Sequence, residues 1–259
     1  MVDHTTKPRV GLFVTCLVDA MRPSIGFASL RLLEDAGCTV EVPAAQTCCG
    51  QPAFNSGGSD IARDIAKQVI AAFEPFDYVV VPSGSCAGMI KVHAADLFEN
   101  DPRWQQRHAA LAAKTYEILS FLTDVMDYRP QGAAYDGVAT YHDSCSGLRE
   151  LGVHDQPRAL LDEVAGLKMV PLEGSDACCG FGGTFCVKYP DISNEIVEDK
   201  TRCIARTGAD TLLAGDLGCL MNMAGKISRE QRPVKVFHTV EVLAGMATDG
   251  GICAPVEGD

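Results

Sequence analysis

Eight of the twelve cysteines in this 259-residue sequence fall into two sets of four, with the same order and nearly the same spacing. Each set is built on a vicinal pair followed by glycine, Cys48-Cys49-Gly50 and Cys178-Cys179-Gly180. A lone cysteine precedes each pair, Cys16 by 32 positions and Cys145 by 33. Another follows the pair's second cysteine, Cys86 by 37 positions and Cys219 by 40. Packing of a hydrophobic core sets no such spacing, whereas two metal or redox centres do. Three chemistries compete for these thiols. Structural disulfides fit badly, because adjacent Cα atoms lie about 3.8 Å apart and a disulfide usually spans about 4.4–6.8 Å. Zinc favours ligands two to four residues apart, and adjacent thiolates reach one tetrahedral ion awkwardly. An iron–sulfur cluster presents several iron corners, so neighbouring thiolates can each take a different one, and four cysteines are its usual ligand set. Spacing therefore ranks iron–sulfur, of the [4Fe-4S] type and one or two in number, ahead of zinc, with zinc in one site left open.

The elements that must position these residues repeat as well. Superposing Thr15-Cys16 on Ser144-Cys145 gives an offset of 129; the vicinal pairs are offset by 130, and Cys86 and Cys219 by 133. Short apolar runs of buried-strand type stand at 10–14 and 137–141, and again at 78–81 and 211–214. Helical periodicity runs over 24–36, stopping at Gly37, and over 61–73 and 192–205. Each half closes on a further predicted helix, 116–126 and 239–246. The order strand, cysteine, helix, strand, vicinal pair, helix, strand, cysteine, helix is that of an α/β fold. The expectation is two similar, duplicated α/β lobes with parallel-type sheets, over residues 1–130 and 131–259, parted by the Pro/Gly-bearing stretch 129–137. All eight cysteines then fall in loops at strand ends. Ligands bind there in open α/β sheets, and helix N-termini there lower thiol pKa values.

Bulk properties narrow the function. A chain of this length buries a substantial core and needs no cysteine staples. The formal charge of −12 comes without a basic stripe, which argues against nucleic acid as a partner. Met1 to Arg9 is polar and no apolar run approaches the roughly 20 residues of a membrane span. The expected location is the cytoplasm, where clustered cysteines bind metal or do redox chemistry rather than form disulfides.

Outside the pattern, Cys186 lies seven positions after Cys179, with Ser56 as its counterpart. It is a candidate extra ligand for the second site, or a small loop residue. Cys38 and Cys203 read as small buried hydrophobes, and Cys253 as exposed. His142, before Asp143-Ser144-Cys145, is a candidate catalytic residue that binds a carboxylate or moves a proton, or a histidine bonded to a loop. Arg149 and Lys188 could pair with a carboxylate or offset cluster charge; His93 and His238 carry less signal. Gly180-Phe181-Gly182-Gly183 lacks dinucleotide-binding spacing and suits a flexible loop around a cluster.

These residues resemble the CCG-type cysteine-rich domain family, which includes the cysteine-rich subunit of heterodisulfide reductase and the glycolate oxidase iron–sulfur subunit. The stretches Cys178 to Phe185, Val187-Lys188-Tyr189-Pro190 and Asp143 to Gly152 look like its lactate-utilisation branch. The resemblance covers essentially the whole chain. It implies an oxidoreductase subunit that holds iron–sulfur clusters and transfers electrons as L-lactate is oxidised to pyruvate. The implied partners are a ferredoxin-type iron–sulfur subunit and a third lactate-utilisation subunit. In the heterodisulfide branch each module ends in C-x-x-C, and that last cysteine helps hold a noncubane cluster. Here Met89 and Asn222 stand at those positions, which puts disulfide reduction in doubt. A zinc-stabilised, non-enzymatic assembly subunit is the remaining alternative.

Overall fold

Two four-stranded sheets, parallel throughout, organise the chain. The computed structural model describes residues 7–254. Residues 1–6, most of the polar opening segment, and residues 255–259, the end of the second half, lie outside the described residues. The first sheet has the order β2-β1-β3-β4, with β1 Arg9–Leu12, β2 Thr39–Glu41, β3 Tyr78–Val81 and β4 Thr115–Glu117. The second has the order β6-β5-β7-β8, with β5 Ala134–His142, β6 Ala165–Met169, β7 Thr211–Ala214 and β8 Lys235–His238. Leu12 pairs with Val80 and Tyr141 with Leu213, so the repeat seen in the cysteines is a repeat of register too. The duplicated α/β fold stands as expected.

Within each sheet, helical crossovers carry the chain from one strand to the next, as parallel pairing requires. The helices Pro23–Asp35, Ser59–Phe73 and Pro190–Arg206 each begin with a proline or a short polar turn and bury one apolar stripe. They agree with the periodicity to within two residues. The predicted helix 116–126 does not form as one element. Tyr116 and Glu117 belong to β4, where they pair with Val80 and Val81. Glu117 then caps a three-residue helix, Ile118–Ser120, and a wider π-helical turn follows over Phe121–Val125. Helical spacing of apolar residues ran across this strand–helix junction because both elements face the same core. The equivalent strand in the second half, β8, also lacked a cysteine to mark it.

The halves share one core. Val10, Leu12, Ile25, Leu32 and Leu33 of the first pack with Tyr141, Leu160, Leu213, Phe237 and Leu243 of the second. Polar contacts fix the register of the joint. Arg22 donates to the buried Glu241 (2.9 Å) and, through both terminal nitrogens, to Asp249 (2.7 and 2.9 Å). Ser83 Oγ and the Ser85 N–H both donate to Asp216 Oδ2 at 2.9 Å. The helices Gly84–Lys91 and Cys145–Leu151 come together at Gly84 and Gly147. A Cβ on Gly84 would lie 2.9 Å from the Gly147 Cα, so backbone meets backbone there. Among the described residues no helix is long and apolar enough to cross a membrane.

Glu117 is buried at this joint. Oε2 accepts from the Leu119 and Ser120 amides at 2.8 and 3.1 Å, while Oε1 has no partner. Burial pushes its pKa up to about 8, with the charge of Asp216 adding to the effect. A carboxyl raised in the folded state is protonated there while the unfolded chain ionises, so stability falls as pH rises toward 8. Glu117→Gln keeps the capping acceptor and removes the proton. Its unfolding free energy relative to wild type is therefore expected to grow on the order of 3 kcal/mol across the neutral range toward pH 8. Denaturant unfolding at several pH values reads this directly, and a pH-independent difference would contradict it.

Candidate metal centres

The lone cysteines ride on the first turns of helices, and the paired ones sit in a glycine-turned loop. Thr15 caps the helix Cys16–Met21, its Oγ1 accepting from the Val18 amide at 3.3 Å. Ser83 caps the helix that carries Cys86, accepting from the Cys86 amide at 3.3 Å. Cys145 opens the helix Cys145–Leu151, and Asp216 caps Leu217–Arg229, which carries Cys219. The vicinal pairs end in Gly50 and Gly180, at φ +89° and +82°. This left-handed backbone suits glycine. A Cβ on Gly180 would lie 2.7 Å from the Ser193 carbonyl oxygen. The turn aims the Gly180 amide back at Cys178 Sγ, 3.3 Å away, and the Gly50 amide likewise favours the Cys48 thiolate.

This placement brings together all four cysteines of each set. Cys16 Sγ lies 3.9 Å from Cys48 Sγ, and Cys49 is near enough to both Cys48 and Cys86 for their thiols to act on its own. The second half repeats the chain, Cys145 to Cys178 to Cys179 to Cys219. In both, the first cysteine of the pair accepts from thiols on either side and is held well below the ordinary thiol range. Its neighbours are pushed up: Cys16 by donating to Cys48 and by burial, Cys145 by donating to Cys178 and by burial. Cys49 and Cys179 are raised by the same donation and by their second thiol neighbours. Each set is a chain of neighbouring thiols, and adjacent members disfavour one another's ionisation. The donor set and its crowding suggest metal binding, and soft thiolates suit iron–sulfur or zinc.

A cavity of about 220 Å³ opens beside the first set. Cys16, Cys48, Cys49 and Cys86 line it, and Phe181, Gly183, Thr184 and Asp216 of the second half close it. Lys188 Nζ donates to Ser56 Oγ at 3.2 Å, tying the same second-half loop to the first half. The glycine run 180–183 thus does not wrap only its own site.

His142 is fully buried at the end of β5. Nδ1 lies 3.1 Å from the Ser175 carbonyl oxygen, which only accepts, so Nδ1 carries the proton. Nε2 has no partner. A ring nitrogen and the sulfurs of Cys179 and Cys219 all lie within 4.8 Å of one another. Burial, reinforced by the charge of Lys200, lowers its pKa to about 4. Asp143 pairs with Arg158 at 2.8 and 2.9 Å and stays below the ordinary carboxyl range: burial raises it, and the Arg158 bonds outweigh that.

Other sequence candidates stand apart. The Cys186 thiol turns to the Gly183 carbonyl oxygen at 3.5 Å, outside the thiol chain. Cys38 is buried near Met126, its pKa raised to about 11 by burial; Cys253 is exposed. Arg149 donates to the Asp176 carbonyl oxygen, and His93 Nε2 meets Glu150 across the joint at 3.1 Å. Two residues near the sites escaped the sequence reading. Asp216 was not singled out in the sequence, although it caps the helix of Cys219 and lines the first cavity. Lys200 was not singled out either, yet it is 2% exposed. Its position in the repeat, opposite Val69, was the available signal.

A model of the CCG cysteine-rich domain matches the chain twice, over residues 10–91 and 139–224. Proteins named Lactate utilization protein A are similar over most of their length. The Anoxybacillus flavithermus protein is 49% identical over 90% of this chain and 98% of its own. The Geobacillus kaustophilus protein is 49% identical over 91% and 98%, and that of Macrococcus caseolyticus 50% over 91% and 96%. Among solved structures, a hypothetical protein from Helicobacter pylori shares the fold, with a TM-score of 0.66 at 12% identity over 94% of this chain. This chain spans half of that protein's length.

If the two thiol sets hold metal independently, the reduced, metal-free chain is expected to take up two equivalents of Co(II), with thiolate-to-cobalt absorption. Cys49→Ser and Cys179→Ser should each bring saturation down to one equivalent. Unchanged stoichiometry in both variants would show that the vicinal pairs do not hold the metal.

Proposed function

This chain belongs to the CCG cysteine-rich domain family, and we propose that it is an electron-carrying subunit of lactate utilisation, with an iron–sulfur cluster at each set of four cysteines. The observation that carries this reading is the gathering of eight thiols into two like-built sites. Cys16, Cys48, Cys49 and Cys86 would hold one cluster, and Cys145, Cys178, Cys179 and Cys219 the other. When bound, such clusters supply one-electron carriers, two of them for the two electrons that leave L-lactate as it becomes pyruvate.

The chain's own residues support that role in three ways. Gly50 and Gly180 turn amide N–H groups onto the first thiolate of each pair, offsetting anionic charge. Cys16 and Cys178 are the exposed members of their sets, so each site has a solvent-facing edge toward a partner. The helices that carry Cys86 and Cys145 touch where Gly84 meets Gly147, two residues from each cysteine, which gives the sites a short protein path between them. The names of the relatives support lactate as the substrate of the system. The partners that fit are a ferredoxin-type iron–sulfur subunit and a third lactate-utilisation subunit. His142 is sealed from solvent and turned to Cys179 and Cys219, so on this reading it serves the second site rather than a lactate molecule. That His–Cys–Cys grouping also supports a second reading, zinc at the second site.

Anaerobic purification tests the proposal. Brown protein with about eight irons and eight acid-labile sulfides per chain, and an EPR signal after reduction, is the expected result. Colourless protein with stoichiometric zinc at both sites would overturn it.

A further inference from the structure

The two sites are built alike but are not lined alike. The offset of 129 that superposes Cys16 on Cys145 places Phe13 opposite His142. The helices behind the vicinal pairs superpose at an offset of 131: Gly50 faces Ala62 and Ile65, and Gly180 faces Ser193 and Ile196. This places Val69 opposite Lys200. The offset of 133 between Cys86 and Cys219 places Met89 opposite Asn222. At three equivalent positions the first site has Phe, Val and Met where the second has His, Lys and Asn.

All six side chains are in place to matter. Val69 stands with Ala66, Ile70, Ile90 and Leu111 behind Cys49. The polar member of that wall, His108, is engaged with the Ile90 carbonyl oxygen at 2.8 Å. Behind Cys179, Lys200 Nζ donates to the Gly174 and Ser175 carbonyl oxygens at 2.6 and 3.2 Å, and its charge acts on both Cys179 and Cys219. Asn222 Nδ2 donates to the Cys179 carbonyl oxygen at 2.8 Å, whereas Met89 is fully buried and apolar. His142 brings a ring nitrogen within 4.8 Å of the Cys179 and Cys219 sulfurs, where the first site has the phenyl ring of Phe13. Asp216 does not tell the sites apart, because it lines the first cavity and also acts on Cys219.

Reduction adds negative charge to a thiolate-held centre. A buried cation favours the reduced state, and polar side chains beside the thiolates do so more than an apolar wall. We propose that the two centres are inequivalent, and that the second, walled by Lys200 and His142, is the more readily reduced, so that an electron held by this chain rests there. This rests on the iron–sulfur reading above and deepens it by giving the chain a direction.

The test is an EPR-monitored redox titration of the anaerobically purified full chain, after iron and sulfide analysis. Failure of the iron–sulfur reading shows at that first step, as absent sulfide. With two clusters present, wild type is expected to reduce in two separate steps. Lys200→Met should lower the higher potential, leave the lower one in place and narrow the gap, while Lys200→Arg should retain the wild-type separation. His142→Phe, which imports the residue of the first site, should also shift only the higher step. Equal potentials, a shift in the lower step on Lys200→Met, or zinc in the second site would each overturn the inference. The wild-type titration decides the inequality even where a variant fails to fold.

Discussion

Mutual repulsion among crowded thiolates is the constraint on which the rest of this structure depends. Each half strings four cysteine sulfurs into a chain of neighbours, in which one sulfur accepts from those beside it and those neighbours are driven upward. Such an arrangement has a cost unless metal replaces the protons. The local devices are those that keep sulfurs together against this repulsion. Glycine at positive φ folds an amide back on the first thiolate. Hydroxyl and carboxylate caps from Thr15, Ser83 and Asp216 fix the helices that carry Cys16, Cys86 and Cys219.

Topology explains why so few residues are needed for the gathering. In a parallel sheet every strand ends at the same edge, so residues tens of positions apart in sequence arrive side by side. Duplication then supplies a second site at no cost in new architecture. The halves lean on each other as well: they share a core, join through Arg22–Glu241 and Ser83–Asp216, and the second half's 181–184 loop closes the cavity over the first half's cysteines. The lobes are alike in fold and unequal in setting.

Much of this was legible in the sequence, for physical reasons. The cysteine offsets report the repeat because loop lengths between strand ends are held by the sheet. The long amphipathic helices show because each buries a single stripe. What stayed hidden falls into two kinds. Strands β4 and β8 carry no cysteine, and β4 runs directly into a helix on the same core, so its alternation merged with helical spacing. Lys200, Asp216 and Glu117 are charged residues whose burial depends on the packing of the opposite element or lobe. A lone sequence reads them as surface. Only the comparison of one half with the other, Val69 against Lys200, marks one such position as out of the ordinary.

On the reading proposed above, the two like-built sets of thiols hold two iron centres in one chain. Anomalous diffraction at the iron absorption edge, from crystals grown without oxygen, tests it most directly. Two iron peaks per chain are expected, one among Cys16, Cys48, Cys49 and Cys86 and one among Cys145, Cys178, Cys179 and Cys219. Iron absent from both sets, or a single iron peak shared between the lobes, would contradict it.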